Sequence, residues 1–254
     1  MESTPAEVSE AAERGRSLRR AATITAAVGA AHAVLFLVAF FLLASVPEAE
    51  ASDDEIADFY GSGGSRRVVL VGLYLMPLAG IAFVWFIVAL RMWIEAGTRR
   101  VDALLSNIQL VGGILYVALF CAGFAASAAI VEFSDGEIDP VVARQFPIYG
   151  SSLLMVFGFR MAAMFVFTTS SIGRASGVLP RWFAWSGYAV GIFLLLSASF
   201  EGWFALVFPA GMLVLTAILM RNARRIPPEV RLPVRGAHHP AFVHQPEAER
   251  HPPG

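Results

Sequence analysis

Six long apolar stretches divide the chain, and this pattern restricts it to membrane architectures. Each stretch has 18 residues or more, and a helix of that length rises about 27 Å, close to the roughly 30 Å thickness of a hydrocarbon core. The chain is 57% hydrophobic and 15% charged, whereas soluble domains carry about 25% charged residues. The predicted spans are Ala21–Val46, Val68–Leu90, Leu104–Val131, Ile148–Ser171, Trp182–Phe200 and Trp203–Met220.

This pattern predicts an all-α fold, a polytopic membrane protein built as a bundle of six transmembrane helices. Residues 1–20 form a cytoplasmic N-terminal segment in this interpretation, and residues 21–225 form the transmembrane domain. Residues 226–254 are rich in proline and histidine and poor in apolar residues. Such a composition favours a disordered tail.

Arginine is distributed unevenly over the segments that connect the spans. The segments on one side contain Arg14, Arg16, Arg19, Arg20, Arg91, Arg99, Arg100, Arg174, Arg181, Arg221, Arg224 and Arg225, whereas those on the other contain Arg66, Arg67 and Arg144. Basic residues accumulate on the cytoplasmic side of membrane proteins. The distribution therefore predicts that both termini are cytoplasmic.

The first apolar stretch also admits a second interpretation, as a signal peptide cleaved near Ala49-Glu50-Ala51. It has 26 residues, whereas a signal peptide typically has an apolar core of about 7–15 residues. We therefore interpret the stretch as a retained span. Cleavage would leave five spans in the same orientation.

Two connecting segments contain helix-start signals. Ser52-Asp53-Asp54-Glu55 is a capping-box pattern, which predicts a short helix that runs to about Tyr60. Asp139-Pro140 combines a good N-cap with a good first helical residue and predicts another short helix over Val141–Gln145. In the fifth span, Gly187 and Gly191 form a small-xxx-small pair that favours close helix packing.

Composition excludes several kinds of chemistry. All 19 basic residues are arginine, so a lysine Schiff base or a Walker-type lysine cannot form. Cys121 is the single cysteine, which rules out an intrachain disulfide. The chain has no HExxH motif, no paired intramembrane aspartates and no Ser-His arrangement in its spans. The sequence therefore predicts no enzymatic activity, no cofactor and no metal site.

Arg160 is the only charged residue within the predicted spans and lies about 12 residues from the outer end of the fourth. A charge at that depth costs about 2.5 kcal/mol or more, so such residues usually face the bundle interior and mark functional sites. Two interpretations stay open. Arg160 either contributes to a functional site or is a structural arginine satisfied by carbonyls, hydroxyls and water.

The depths of polar residues in neighbouring spans suggest which ones lie level with Arg160. His32 lies near its height, Tyr116 slightly deeper and Tyr74 slightly shallower, while Asn107 and Gln109 lie nearer the cytoplasm. Arginine with hydroxyls and amides, but without a carboxylate, suits an anionic lipid or small organic anion. The predicted ligand-binding residues are therefore Arg160, His32, Tyr74 and Tyr116.

Three segments of the chain carry a resemblance to a known group of proteins. They are residues 74–87 (YLMPLAGIAFVWFI), residues 160–167 (RMAAMFVF) and residues 177–188 (GVLPRWFAWSGY). Together they resemble a group of uncharacterised multi-pass membrane proteins from actinobacteria, and the likeness covers spans two to six. The resemblance implies a six-span protein of the bacterial plasma (inner) membrane, and it implies no activity.

Three functional hypotheses follow from the sequence. The first is a non-enzymatic membrane protein that binds an anionic lipid or small molecule around Arg160. The second is a small secondary transporter or permease, although the spans contain no carboxylate for ion coupling. The third is an accessory subunit of a membrane complex, which would bind its partner through apolar helix faces or acidic outer loops.

Overall fold

A computed structural model describes residues 5–43, 46–47, 51–97, 102–133, 139–196 and 202–225. Among these residues all regular structure is helical, which confirms the all-α prediction. The helices are α1 (Pro5–Leu43), α2 (Asp53–Gly61), α3 (Gly63–Gly97), α4 (Ala103–Phe133), α5 (Pro140–Ser152), α6 (Phe159–Ala175), α7 (Arg181–Leu196) and α8 (Val207–Arg225). A π-helical turn (Leu153–Gly158) joins α5 to α6, and a 3-10 turn (Gly202–Leu206) precedes α8.

Five helical segments are long and apolar enough to cross a membrane. They are Gly15–Leu42, Arg67–Glu95, Ala103–Ala129, Pro140–Ala175 and Phe204–Asn222, and each contains most of one predicted span. The predicted fifth span, Trp182–Phe200, corresponds to α7, which has 16 residues and is about 24 Å long. Residues 197–200 of that span lie outside the described residues.

Successive long helices pack in opposite directions. Gly29 of α1 faces Phe86 of α3, and His32, one turn later on α1, bonds to an earlier residue of α3, Ala79. The same reversal relates α3 to α4, and α4 to the continuous segment formed by α5, the π-helical turn and α6. The contacts that show it are Gly80 with Cys121, Gly113 with Ile87, Gly123 with Gly150 and Gly112 with Phe165.

The glycine pair of the fifth span packs closely against α6, as predicted. Gly187 lies against Ser170, and Gly191 lies against the ring of Phe167, 3.0 Å from where a Cβ would stand. The hydroxyls of Ser171 and Tyr188 also lie 3.0 Å apart across this interface. The later residue of α7 meets the earlier residue of α6, so the two helices run antiparallel.

The N-terminal segment is not separate from the first span. One uninterrupted helix, α1, runs from Pro5 to Leu43, so the boundary predicted at residue 20 does not interrupt the helix. The predicted tail, residues 226–254, lies outside the described residues.

Both helix-start signals are confirmed as helix N-termini. The capping box is confirmed: Ser52 accepts a hydrogen bond from the Glu55 amide, and the Glu55 carboxylate accepts one from the Ser52 amide at 2.9 Å. Asp139 is also an N-cap, accepting from the Val141 amide at 2.9 Å. A helix does cover Val141–Gln145, as predicted, but it is longer than expected: α5 extends to Ser152 and continues through the π-helical turn into α6.

Two hydrophobic cores hold these helices together. The larger lies between the long helices and is centred on aromatic side chains. The smaller lies beneath α2, where Ile56 and Tyr60 pack against Val69, Val131 and Ala143 from three different helices. Helix α2 therefore covers one end of the bundle.

Candidate intramembrane site around Arg160

Arg160 is the second residue of α6, the helix that directly follows the π-helical turn. Its side chain is partly buried, and its Nη1 donates to the carbonyl oxygen of Val156. Turns of π-helix occur often at functional sites, because the wider winding disturbs the regular backbone hydrogen bonds. A guanidinium has five N–H donors, and this bond uses one of them.

Arg160 has no acidic partner in the part of the chain that the structure describes. Ion pairs between described residues join Arg91 to Glu95 at 3.7 Å and Arg144 to Asp53 at 2.6 Å.

His32 is completely buried in the main core. Its Nδ1 lies 2.9 Å from the carbonyl oxygen of Ala79. Since a carbonyl only accepts, Nδ1 carries a proton, and in a neutral imidazole Nε2 is then the unprotonated acceptor. Among the described groups Nε2 has no hydrogen-bond partner, because the ring is surrounded by Phe36, Phe83 and Phe208.

Tyr116 belongs to the same aromatic cluster as His32. It is 1% exposed, and its ring centroid lies 5.6 Å from that of Phe83 and 4.7 Å from that of Phe208. His32 contacts the same two rings, at 4.8 and 6.4 Å. The structure therefore brings His32 and Tyr116 together through shared aromatic neighbours.

Tyr74 lies apart from these residues, because it is 71% exposed on the outer surface of α3. The inward positions of this helix include Met76, Ala79 and Phe83, which are all fully buried. Tyr74 precedes Met76 by two residues, or about 200° around a helix. Span depth gives the height of a side chain but not the face it occupies, and therefore depth alone placed Tyr74 too close to the interior.

Two buried polar residues, Gln109 and Thr216, are not among the predicted ligand-binding residues. Gln109 donates from Nε2 to Thr169 Oγ1 at 2.7 Å, joining α4 to α6. Thr216 of α8 is buried opposite Gly29. Helical spacing offered a signal for Gln109, since it precedes the buried Tyr116 by seven residues and so shares its face.

The described residues contain no group of three His, Cys, Asp or Glu side chains that could hold a metal ion. Four of the five histidines, His238, His239, His244 and His251, belong to the tail outside the described residues. Cys121 is a free thiol at the contact between α3 and α4.

Comparisons with protein-family models, curated proteins and solved structures find no match to this chain. The resemblance to actinobacterial membrane proteins therefore stays a prediction.

Proposed function

We propose that this chain is a non-enzymatic protein of the bacterial plasma membrane that crosses the bilayer six times with both termini in the cytoplasm. We further propose that Arg160 binds an anionic lipid or a small organic anion. Five apolar helices of membrane length support the location, and the distribution of arginine supports the orientation.

The directions of the helices support a sixth crossing by α7. Helices α1, α3, α4 and α6 alternate in direction, so α6 runs opposite to α1. Helix α8 also runs opposite to α1, because Gly29 faces Thr216 whereas the later His32 meets the earlier Phe208. Since α6 and α8 then run the same way, the chain has to return between them, and α7 packs antiparallel to α6.

The observation that supports the ligand proposal is that the Arg160 guanidinium has few hydrogen-bond partners among the described residues. It lies in an apolar span, has no described carboxylate partner, and uses one donor on a carbonyl of its own helix. A charged group in the hydrocarbon core is costly, and an anion would offset part of that cost. The planar guanidinium fork matches the oxygen pairs of carboxylates and phosphates.

Native mass spectrometry of the protein released gently from membranes tests this proposal. We expect a discrete acidic adduct on the wild type, whose mass distinguishes a lipid from a small anion, and its loss in Arg160→Gln. Arg160→Lys keeps the charge but not the fork, so it should retain the adduct at reduced occupancy. Arg174→Gln is the matched control, because it removes an exposed arginine from the same helix.

Two results would contradict the proposal. One is an adduct that remains at wild-type occupancy in Arg160→Gln. The other is a folded wild type that carries no acidic adduct. If Arg160→Gln fails to fold, adduct occupancy is compared between the wild type and Arg160→Lys, and equal occupancy would contradict the proposal.

A further inference from the structure

Four exposed arginines lie on the N-terminal part of α1 and the C-terminal part of α8, two helices that pack against each other. They are Arg19 and Arg20 on α1 and Arg221 and Arg224 on α8. The contact between Gly29 and Thr216 fixes the relative height of these helices, because a Cβ at Gly29 would lie 2.6 Å from Thr216 Oγ1.

The antiparallel register brings the two pairs to the same height. Arg224 lies eight residues beyond Thr216, and Ala21 lies eight residues before Gly29, so Arg224 is level with Ala21 and next in height to Arg20. Eight residues correspond to about 12 Å along each axis. All four arginines therefore lie at one end of the bundle, at heights that differ by less than about two helical turns along the axis.

None of these four arginines forms an ion pair with a described carboxylate. The side-chain hydrogen bond described for Arg224 goes to the sulfur of Met220 at 3.8 Å, which leaves its charge uncompensated. Other arginines near this end differ: Arg91 pairs with Glu95, and Arg174 lies 5.5 Å over the ring of Trp185.

Exposed apolar side chains continue from the arginines towards the middle of the bundle. Ile24 on α1 is 43% exposed, and Leu213, Val214 and Met220 on α8 are 37–42% exposed. A cationic end followed by an apolar flank matches the order of groups in a phospholipid, in which a phosphate precedes the acyl chains.

We propose that the α1–α8 basic end, defined by Arg19, Arg20, Arg221 and Arg224, binds the phosphate-bearing headgroup of an anionic phospholipid in the adjacent leaflet. Arginine clusters beside membrane helices favour acidic headgroups, and two helices that present guanidinium forks at one height can hold a phosphate from two sides. This surface lies at the end of the bundle, separate from Arg160, and the proposal does not depend on that site.

Titration of the full-length protein in neutral detergent with phosphatidylglycerol, and separately with phosphatidylcholine, tests this surface. We expect wild type to prefer phosphatidylglycerol and Arg20→Gln/Arg224→Gln to bind it about 10- to 30-fold more weakly, at roughly fivefold per arginine. Arg174→Gln/Arg181→Gln removes the same charge from the α6–α7 turn and should change the affinity by less than about twofold. Arg20→Lys/Arg224→Lys should restore most of the binding.

Equal losses in the two glutamine double variants would overturn the proposal, because they would indicate attraction to overall charge without a defined site. Unchanged affinity in Arg20→Gln/Arg224→Gln would overturn it too. The weakening caused by Arg20→Gln/Arg224→Gln should be the same in an Arg160→Gln background as in the wild type, so the two proposals succeed or fail separately. All substituted arginines of the double variants are exposed, and circular dichroism verifies that each variant is folded.

Discussion

At the scale of single residues, Gly150 of α5 permits a close approach to α4 because glycine has no side chain. Gly150 lies directly against the Gly123 carbonyl oxygen and the Ser127 hydroxyl. A methyl group at Gly150 would overlap both, and the backbone oxygen cannot rotate away as a side chain can. The contact therefore depends on glycine for steric reasons.

Replacement of Gly150 by alanine should destabilise the bundle by about 1–3 kcal/mol, the usual cost of overpacking. Gly211→Ala is the matched control, since no atom lies within 4 Å of the new methyl group. Alanine is the better helix former by about 0.5–1 kcal/mol, so the control should be neutral or slightly more stable. Reversible unfolding in mixed micelles compares the two, and equal stabilities would contradict this packing account.

The same scale shows where sequence reasoning about the site succeeds and where it fails. The hydropathy pattern identified Arg160 as a lone charge, and the depth estimate grouped His32 with Tyr116, which share two aromatic neighbours. It also included Tyr74, which faces outward. Height follows from position along a span, whereas the face depends on the rotation of the helix, which is fixed by its neighbours.

At the scale of elements, helix starts were predictable because their hydrogen bonds are local. The reciprocal bonds of Ser52 and Glu55 span three residues, so four letters of sequence are enough to indicate them. The π-helical turn at Leu153–Gly158 had no such signal. Its sequence, LLMVFG, is apolar like the rest of the span, and its winding depends on packing against other helices.

The capping box of α2 makes a prediction about pH. Hydrogen bonds from the Ser52 amide and hydroxyl hold the pKa of Glu55 below its ordinary value of 4.5. A lowered pKa in the folded state means that this stabilisation is present above the unfolded pKa and is lost as the pH falls through the folded pKa. Helix α2 should therefore lose amide protection as the pH falls below the ordinary glutamate pKa of 4.5.

An NMR titration of the Glu55 side-chain carbon tests the capping box directly. The midpoint should lie below 4.5 in the wild type and should rise towards the ordinary value in Ser52→Ala, which removes the hydroxyl donor. Asp54→Asn, which alters a neighbouring exposed carboxylate, is the control and should leave the midpoint low. An identical midpoint in the wild type and Ser52→Ala would show that the Ser52 hydroxyl does not act on the Glu55 carboxylate.

At the scale of the whole molecule, the apolar stretches predicted the all-helical bundle because a membrane imposes helix length and hydrogen bonding together. Five stretches appear as helices of membrane length. The sixth is described over 16 residues as α7. Helix α7 runs opposite to α6, and α6 and α8 run in the same direction, which supports a crossing by α7. An even number of crossings has one consequence that is independent of any ligand, namely that both termini lie on the same side.

The location of the two termini therefore tests the central claim most directly. In a Cys121→Ala background, single cysteines at Ser3, Ala57 and Ala241 can be labelled with a membrane-impermeant maleimide in intact spheroplasts and after lysis. We predict that Ala57→Cys, in α2, is labelled in intact spheroplasts, whereas Ser3→Cys and Ala241→Cys are labelled only after lysis. Labelling of one terminus but not the other in intact spheroplasts would indicate an odd number of crossings and contradict the six-helix account.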